Sequence, residues 1–96
     1  MRWSLSPRSA LAEPLVLYSR PDCSLCATAA RLVQNAVGTR GMRVIDIVGN
    51  RELEDAYIFR IPVLCYRDVV LAEGLIGKRD VRRALGAAER LDRRTD

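Results

Sequence analysis

A short apolar run, a turn and two cysteines, all within residues 14–27, constrain this chain more than any other segment. Residues 15–18 form an apolar run of strand length, and Cys23 and Cys26 open a stretch with helical spacing. Two thiols are therefore predicted three residues apart at a helix N-terminus. Unpaired backbone N–H groups and the positive end of the helix dipole stabilise a thiolate there. A thiolate attacks disulfides and a second thiol can resolve the mixed disulfide, so the segment indicates a dithiol redox site.

The count of cysteines and histidines limits the chemistry. The chain has 96 residues with three cysteines and no histidine, and this length fits one domain. An odd number of cysteines excludes a fully paired disulfide framework, and the lack of histidine excludes Cys-His and Ser-His-Asp catalysis. Three other interpretations of the cysteine pair stay open: ordinary helix residues, part of a zinc site with Cys65, or an iron–sulfur cluster shared across a dimer. We favour the redox pair because Cys-x-x-Cys at a helix start lowers a thiol pKa.

Hydropathy and charge bear on location and partners. No apolar run reaches the ~18 residues that a membrane-spanning helix needs, and serines and a proline interrupt residues 1–12. We expect a flexible tail over 1–12, a folded domain over 13–96, a cytoplasmic location and no membrane partner. Residues 78–96 hold seven basic and four acidic side chains. Interleaved acids and the lack of stacking aromatics favour a solvated helix face over a nucleic-acid or acidic-partner site.

The spacing of apolar residues and breakers predicts the order β-α-β-α-β-β-α. The predicted strands cover 15–18, 42–48, 63–66 and 69–72, and the helices cover 23–37, 51–59 and the residues after Asp80. The first βαβ unit should be parallel and right-handed, and the last two strands should form an antiparallel hairpin. Asp80 is predicted to cap the last helix. The fold class is therefore α/β, a four-stranded mixed sheet with helices on both faces.

This order, with Cys-x-x-Cys after the first strand and Ile-Pro before the third, resembles the thioredoxin superfamily. Within it, the stretch Tyr-Ser-Arg-Pro-Asp-Cys-Ser-Leu-Cys at residues 18–26 is similar to glutaredoxins and small bacterial glutaredoxin-like proteins. The resemblance covers about residues 14–91. It implies a thioredoxin-like fold and thiol–disulfide oxidoreductase activity.

The resemblance also implies roles for particular residues. Cys23 corresponds to the exposed nucleophile and Cys26 to the buried resolving thiol, and together they would form the redox-active disulfide. Pro62 corresponds to the family's cis-proline, which faces the cysteines. It would expose the backbone N–H and C=O of Ile61 for pairing with an extended substrate. The simpler interpretation is that Pro62 begins an edge strand.

Two further segments correspond to the glutathione contacts of glutaredoxins. Arg20 stands where a lysine of glutaredoxins meets a glutathione carboxylate. The other interpretation is that Arg20 is a solvated loop arginine. The loop from Gly77 to Asp80 resembles the Gly-Gly-x-Asp segment, with Lys78 in place of the second glycine. The expected co-substrate is glutathione or another low-molecular-weight thiol, with no tightly bound cofactor.

Two functions follow from these residues. The first is a monomeric glutaredoxin-like oxidoreductase of the electron-transport type. It reduces protein or low-molecular-weight disulfides and is itself reduced by a small thiol or a flavin reductase. The alternative is a non-catalytic binding module that docks a partner through the groove at Ile61 and Pro62 or through the basic last helix. Cys65 is expected to be a buried core residue, with redox coupling as the other interpretation.

Overall fold

A computed structural model describes residues 11–95, so the predicted flexible tail lies largely outside the described residues and stays a prediction. The elements are β1 (Leu15–Ser19), α1 (Ser24–Val37), a 3-10 turn (Thr39–Gly41), β2 (Met42–Asp46), α2 (Arg51–Tyr57), β3 (Val63–Tyr66), β4 (Val69–Glu73) and α3 (Lys78–Thr95). Within this described part, no helix combines the length and apolar character that crossing a membrane requires.

The four strands form one mixed sheet in the order β2-β1-β3-β4. β1 and β2 run parallel, whereas β1 with β3 and β3 with β4 run antiparallel. This confirms the predicted α/β fold class, including the parallel βαβ unit and the closing hairpin. In the β1–β3 register Tyr18 lies opposite Val63, so the chain leaves β1 and enters β3 at the same end of the sheet.

The two sheet faces have different coverings. Alternate β1 residues are fully buried on the face covered by α1 and α3, which we call the α1 face. Its apolar cluster comprises Leu15, Leu17, Ala29, Val33, Leu64, Tyr66, Ile76, Val81, Ala84 and Ala88. On the other face, which we call the α2 face, the ring of Tyr57 from α2 stacks on Tyr18 with centroids 4.7 Å apart. Helices therefore cover both faces, as predicted.

The start of α3 differs from the prediction. The helix begins at Lys78, two residues before the predicted cap Asp80. Asp80 lies in the first turn, and its carboxylate accepts the N–H of Gly77 at 2.8 Å. It therefore caps from inside the helix, as the acidic member of a capping box does. The prediction of a capping role is confirmed, and the predicted helix start is wrong.

The β3–β4 turn uses an unfavourable dipeptide. Arg67 and Asp68 both have positive φ, at 49° and 68°, as a two-residue hairpin turn requires. Arg67 forms ion pairs with Glu13 at 3.0 Å and Asp92 at 3.2 Å. The hydroxyl of Tyr66 also donates to Asp92 at 2.6 Å. These contacts hold the turn against the end of α3 and the entry to β1.

Candidate redox site

Cys23 and Cys26 are joined in a disulfide at the mouth of α1, with their Cα atoms 5.2 Å apart. Cys23 is the N-cap of the helix, and its Sγ accepts the N–H of Cys26 at 3.2 Å. Cys23 is half-buried, whereas Cys26 is only 5% exposed. The outer sulfur is therefore the one that a second molecule can reach, and the inner sulfur lies behind it.

The helix start favours a negative charge on the outer sulfur. The N–H of Ala27 is used by the Cys23 carbonyl at 3.0 Å, which leaves the Cys26 N–H directed at Sγ. The first turn of α1, which is described throughout, contains no acidic side chain. A thiolate at Cys23 would thus be stabilised by a charge-assisted hydrogen bond and the helix dipole, without a like charge from that turn.

The loop between β1 and α1 is held by the sheet on one side. Ser19 ends β1 and is buried, and its carbonyl accepts the N–H of Ile47 at 2.9 Å. Asp22 has φ of 58°, a left-handed conformation that Asp tolerates better than most residues. The breakers at Pro21 and Asp22 predicted a turn, and the structure shows that it delivers Cys23 directly to the helix N-terminus.

A surface groove of about 620 Å³ follows the disulfide. It is lined by Ser19, Arg20, Asp22, Cys23, Ser24, Cys26, Ala27 and Ala30. The structure therefore brings the predicted ligand Arg20 to the same groove as both cysteines. The other predicted substrate-binding residues, all within the described chain, lie outside that lining: Ile61, Pro62, Gly77 and Asp80.

The Ile61–Pro62 turn lies at the sheet end where the Cys23 loop leaves β1. The peptide bond between these two residues is cis, as predicted, and Pro62 is fully buried. The N–H of Ile61 donates to the carbonyl of Tyr57 at 3.1 Å. This N–H is therefore already bonded within the chain, and a substrate strand would have to replace that bond. Pairing of Ile61 with a substrate stays a prediction.

The comparisons agree with this geometry. Residues 14–87 match the family described as Glutaredoxin-like domain (DUF836). The chain belongs to this glutaredoxin-like family. No curated protein matches it significantly.

Two solved structures resemble this glutaredoxin-like chain. The X-ray structure of the structural-genomics target XcR50 from X. campestris is 30% identical, with a TM-score of 0.67, over 76% of this chain and 96% of that chain. The solution NMR structure of Ne2328 from Nitrosomonas europaea is 28% identical, with a TM-score of 0.59, over 88% of this chain and 99% of that chain. Both support the thioredoxin-like fold.

Polar groups of the predicted glutathione loop already have partners within this glutaredoxin-like chain. The Asp80 carboxylate holds the Gly77 N–H and lies 3.7 Å from the guanidinium of Arg83. These groups start α3, so glutathione would compete with the helix cap for them. Binding of glutathione at this loop stays a prediction.

Cys65 is buried on the α2 face, away from the redox pair. It lies opposite Val16, whose neighbours Leu15 and Leu17 point to the α1 face. Cys65 is 3% exposed, and burial raises the pKa of its thiol. The expected core position is confirmed. Because the sheet separates Cys65 from Cys26, the three thiols cannot meet at one zinc ion.

Proposed function

We propose that this glutaredoxin-like protein is a thiol–disulfide oxidoreductase that reduces protein or low-molecular-weight disulfides. One observation carries the proposal: a half-exposed sulfur at a helix N-cap is bonded to a buried sulfur in the first turn. The family match over residues 14–87 supports it. Cys23 is the nucleophile and Cys26 the resolving thiol.

The cycle begins from the reduced pair. The Cys23 thiolate attacks one sulfur of a substrate disulfide, the other substrate sulfur leaves as a thiolate and takes a proton from water, and a mixed disulfide forms. Cys26 then loses its proton to water and attacks the Cys23 sulfur. The second substrate sulfur leaves as a thiolate and takes a proton from water, and the Cys23–Cys26 disulfide closes. Two electrons have moved from the dithiol to the substrate.

A separate reductant must restore the dithiol. In this proposal it is a low-molecular-weight thiol such as glutathione or a flavin reductase, acting in the cytoplasm. The exposed Arg20 guanidinium in the cysteine groove supports a carboxylate-bearing thiol, because arginine binds carboxylates in a planar, two-bonded geometry. No tightly bound cofactor is required, and the protein works as a monomer.

Substitution of each cysteine tests the proposal. Cys23→Ser should abolish reduction of a protein disulfide, and Cys26→Ser should accumulate a mixed disulfide visible by mass spectrometry. Cys65→Ser is the matched control, since Cys65 is equally buried but lies on the α2 face, and it should keep the activity. Activity of Cys23→Ser equal to that of the unsubstituted protein would exclude the proposed nucleophile.

A second candidate function is a binding module with little catalysis. Phe59 is 97% exposed and lies two residues before Ile61. Leu75 is 79% exposed and follows Gly74, whose N–H donates to the Pro62 carbonyl at 2.8 Å. Large exposed apolar side chains of this kind often mark interaction sites. A Cys23 pKa near the free-thiol value of about 8.5, together with no disulfide reduction, would favour this function over the enzyme.

A further inference from the structure

A cluster on the α2 face joins the end of α2 to β1 and β4. The Tyr57 ring stacks on Tyr18 of β1, with an angle of 21° between the rings. The guanidinium of Arg60 lies 5.4 Å from the centre of the Tyr57 ring, within cation–π range. Arg60 also holds both carboxylate oxygens of Glu73 on β4, at 2.8 Å and 3.0 Å. Tyr57 is thus the side chain that connects these groups.

The backbone of Tyr57 continues this connection into the following turn. Its carbonyl accepts the N–H of Arg60 at 2.8 Å and that of Ile61 at 3.1 Å. On the opposite side, the Gly74 N–H donates to the carbonyls of Arg60 and Pro62, at 3.2 Å and 2.8 Å. The turn that enters β3 is therefore held between the end of α2 and the end of β4.

The Tyr57 hydroxyl lies near the thiol of Cys65 on β3, and each of these groups affects the pKa of the other. Burial raises the pKa of both groups, so both are protonated at neutral pH. Cys65 is therefore a neutral neighbour of Tyr57, and the stack on Tyr18 is the contact that places the Tyr57 ring against the sheet.

This cluster lies next to the redox end of the sheet. Tyr18 precedes Ser19, the last residue of β1 and part of the lining of the cysteine groove. Tyr18 is also paired with Val63, the residue that follows Pro62. A shift of the Tyr57 ring would therefore move the turn relative to the strand that carries the Cys23 loop.

We infer that Tyr57 is a positioning residue that holds the Ile61–Pro62 turn against β1 and so sets how an extended protein disulfide reaches Cys23. The inference rests on the proposed function. The groove along the disulfide is not lined by Ile61 or Pro62. A small disulfide that enters this groove does not need the turn, so we expect the role of Tyr57 to be specific to protein substrates. Tyr57 itself does not touch the reacting sulfurs.

Steady-state kinetics with two substrates test the inference, with insulin as the protein disulfide and hydroxyethyl disulfide as the small one. Tyr57→Leu removes the aromatic stack and should raise KM for insulin about tenfold while kcat/KM for the small disulfide stays within about twofold. Tyr57→Phe keeps the stacking ring and should restore most of the insulin KM. Leu53→Ala is the matched control, because Leu53 is half-buried one turn earlier on α2. It should leave KM and kcat/KM for both substrates unchanged.

The outcomes separate the inference from the function on which it rests. Equal losses on both substrates in Tyr57→Leu, or the same split in Leu53→Ala, would overturn the role of Tyr57. If Tyr57→Leu does not fold, Glu73→Gln releases Arg60 at an exposed site and should raise the insulin KM about twofold; an unchanged KM there overturns the inference. An unsubstituted protein inactive on both disulfides would overturn the proposed function, and the inference with it.

Discussion

The two buried cysteines on opposite faces of the sheet are almost equally hidden, and their expected chemistry is opposite. Cys26 is 5% exposed and Cys65 is 3% exposed. Cys26 lies in the first turn of α1, where its neighbour Cys23 receives a backbone N–H. Cys65 lies within β3, where burial raises its pKa. Burial therefore does not distinguish the two thiols. Their surroundings do, because Cys26 lies at a helix N-terminus and is bonded to a second sulfur.

The two faces of the sheet also differ in the kind of side-chain contacts they contain. The α1 face is an aliphatic cluster behind the disulfide, including Leu17 and Val33, which are fully buried. The α2 face carries the Tyr18–Tyr57 stack and the Arg60–Glu73 ion pair. Close packing of aliphatic groups gives the α1 face most of its stabilising contacts. The α2 face instead carries directional contacts next to the Ile61–Pro62 turn.

The largest expected contrast is in thiol reactivity. After reduction of the disulfide, iodoacetamide near pH 7 should modify Cys23 about a thousandfold faster than Cys65. The proposed Cys23 thiolate is reachable, whereas the Cys65 thiol is buried and burial raises its pKa. Mass mapping over time measures both rates. The same reaction in denaturant is the control, and there the two rates should converge. Comparable rates in the folded protein would contradict the distinction between the faces.

Truncation of adjacent β1 residues compares the packing of the two faces. Leu17→Ala should lower the free energy of unfolding by about 2–5 kcal/mol, since Leu17 is fully buried in the aliphatic cluster. Val16 points to the α2 face and is half-buried, so Val16→Ala should lower the free energy of unfolding by about 1 kcal/mol. Urea denaturation of the oxidised protein measures both values. Equal costs would show that the α2 face is packed as tightly as the α1 face.

The smallest expected effect is a loss of stability at alkaline pH. The folded state raises the pKa of Cys65 above 9.0, so the unfolded chain loses this proton first. The contribution of Cys65 to the free energy of unfolding should therefore be fully present below pH 9.0. It should fall as the pH rises above 9.0, by at most about 1.4 kcal/mol per pH unit. Urea denaturation of the oxidised protein measures this slope.

Cys65→Ala is the control for that measurement and should remove the slope. Tyr18, Tyr57 and Tyr66 also have raised pKa values, from an ordinary value of 10.0, so the comparison is made below that pH. A slope that persists in Cys65→Ala would assign the alkaline loss of stability to another group.

Much of the fold was predictable because its signals are local. The apolar run at 15–18, the breakers before Cys23 and Gly38 after α1 marked the first βα unit, and the structure confirms it. The start of α3 was predicted wrongly because the sequence does not show whether Asp80 caps the helix from just before its first turn or from within that turn. The hydrogen bond from the Gly77 N–H to the Asp80 carboxylate decides between the two, and that bond needs the folded loop.

The sequence alone was enough to predict Cys23 and Cys26 together at the N-terminus of α1. The signals for this, a three-residue spacing and a preceding turn, lie within a few neighbouring residues. Folding decided the rest of the site: that Arg20 joins the cysteine groove, that the Ile61 N–H is used by Tyr57, and that Cys65 lies across the sheet. The first two are local features of loops whose backbone conformation the sequence pattern does not specify. The place of Cys65 depends on strand register and face alternation, which exist only when the sheet forms.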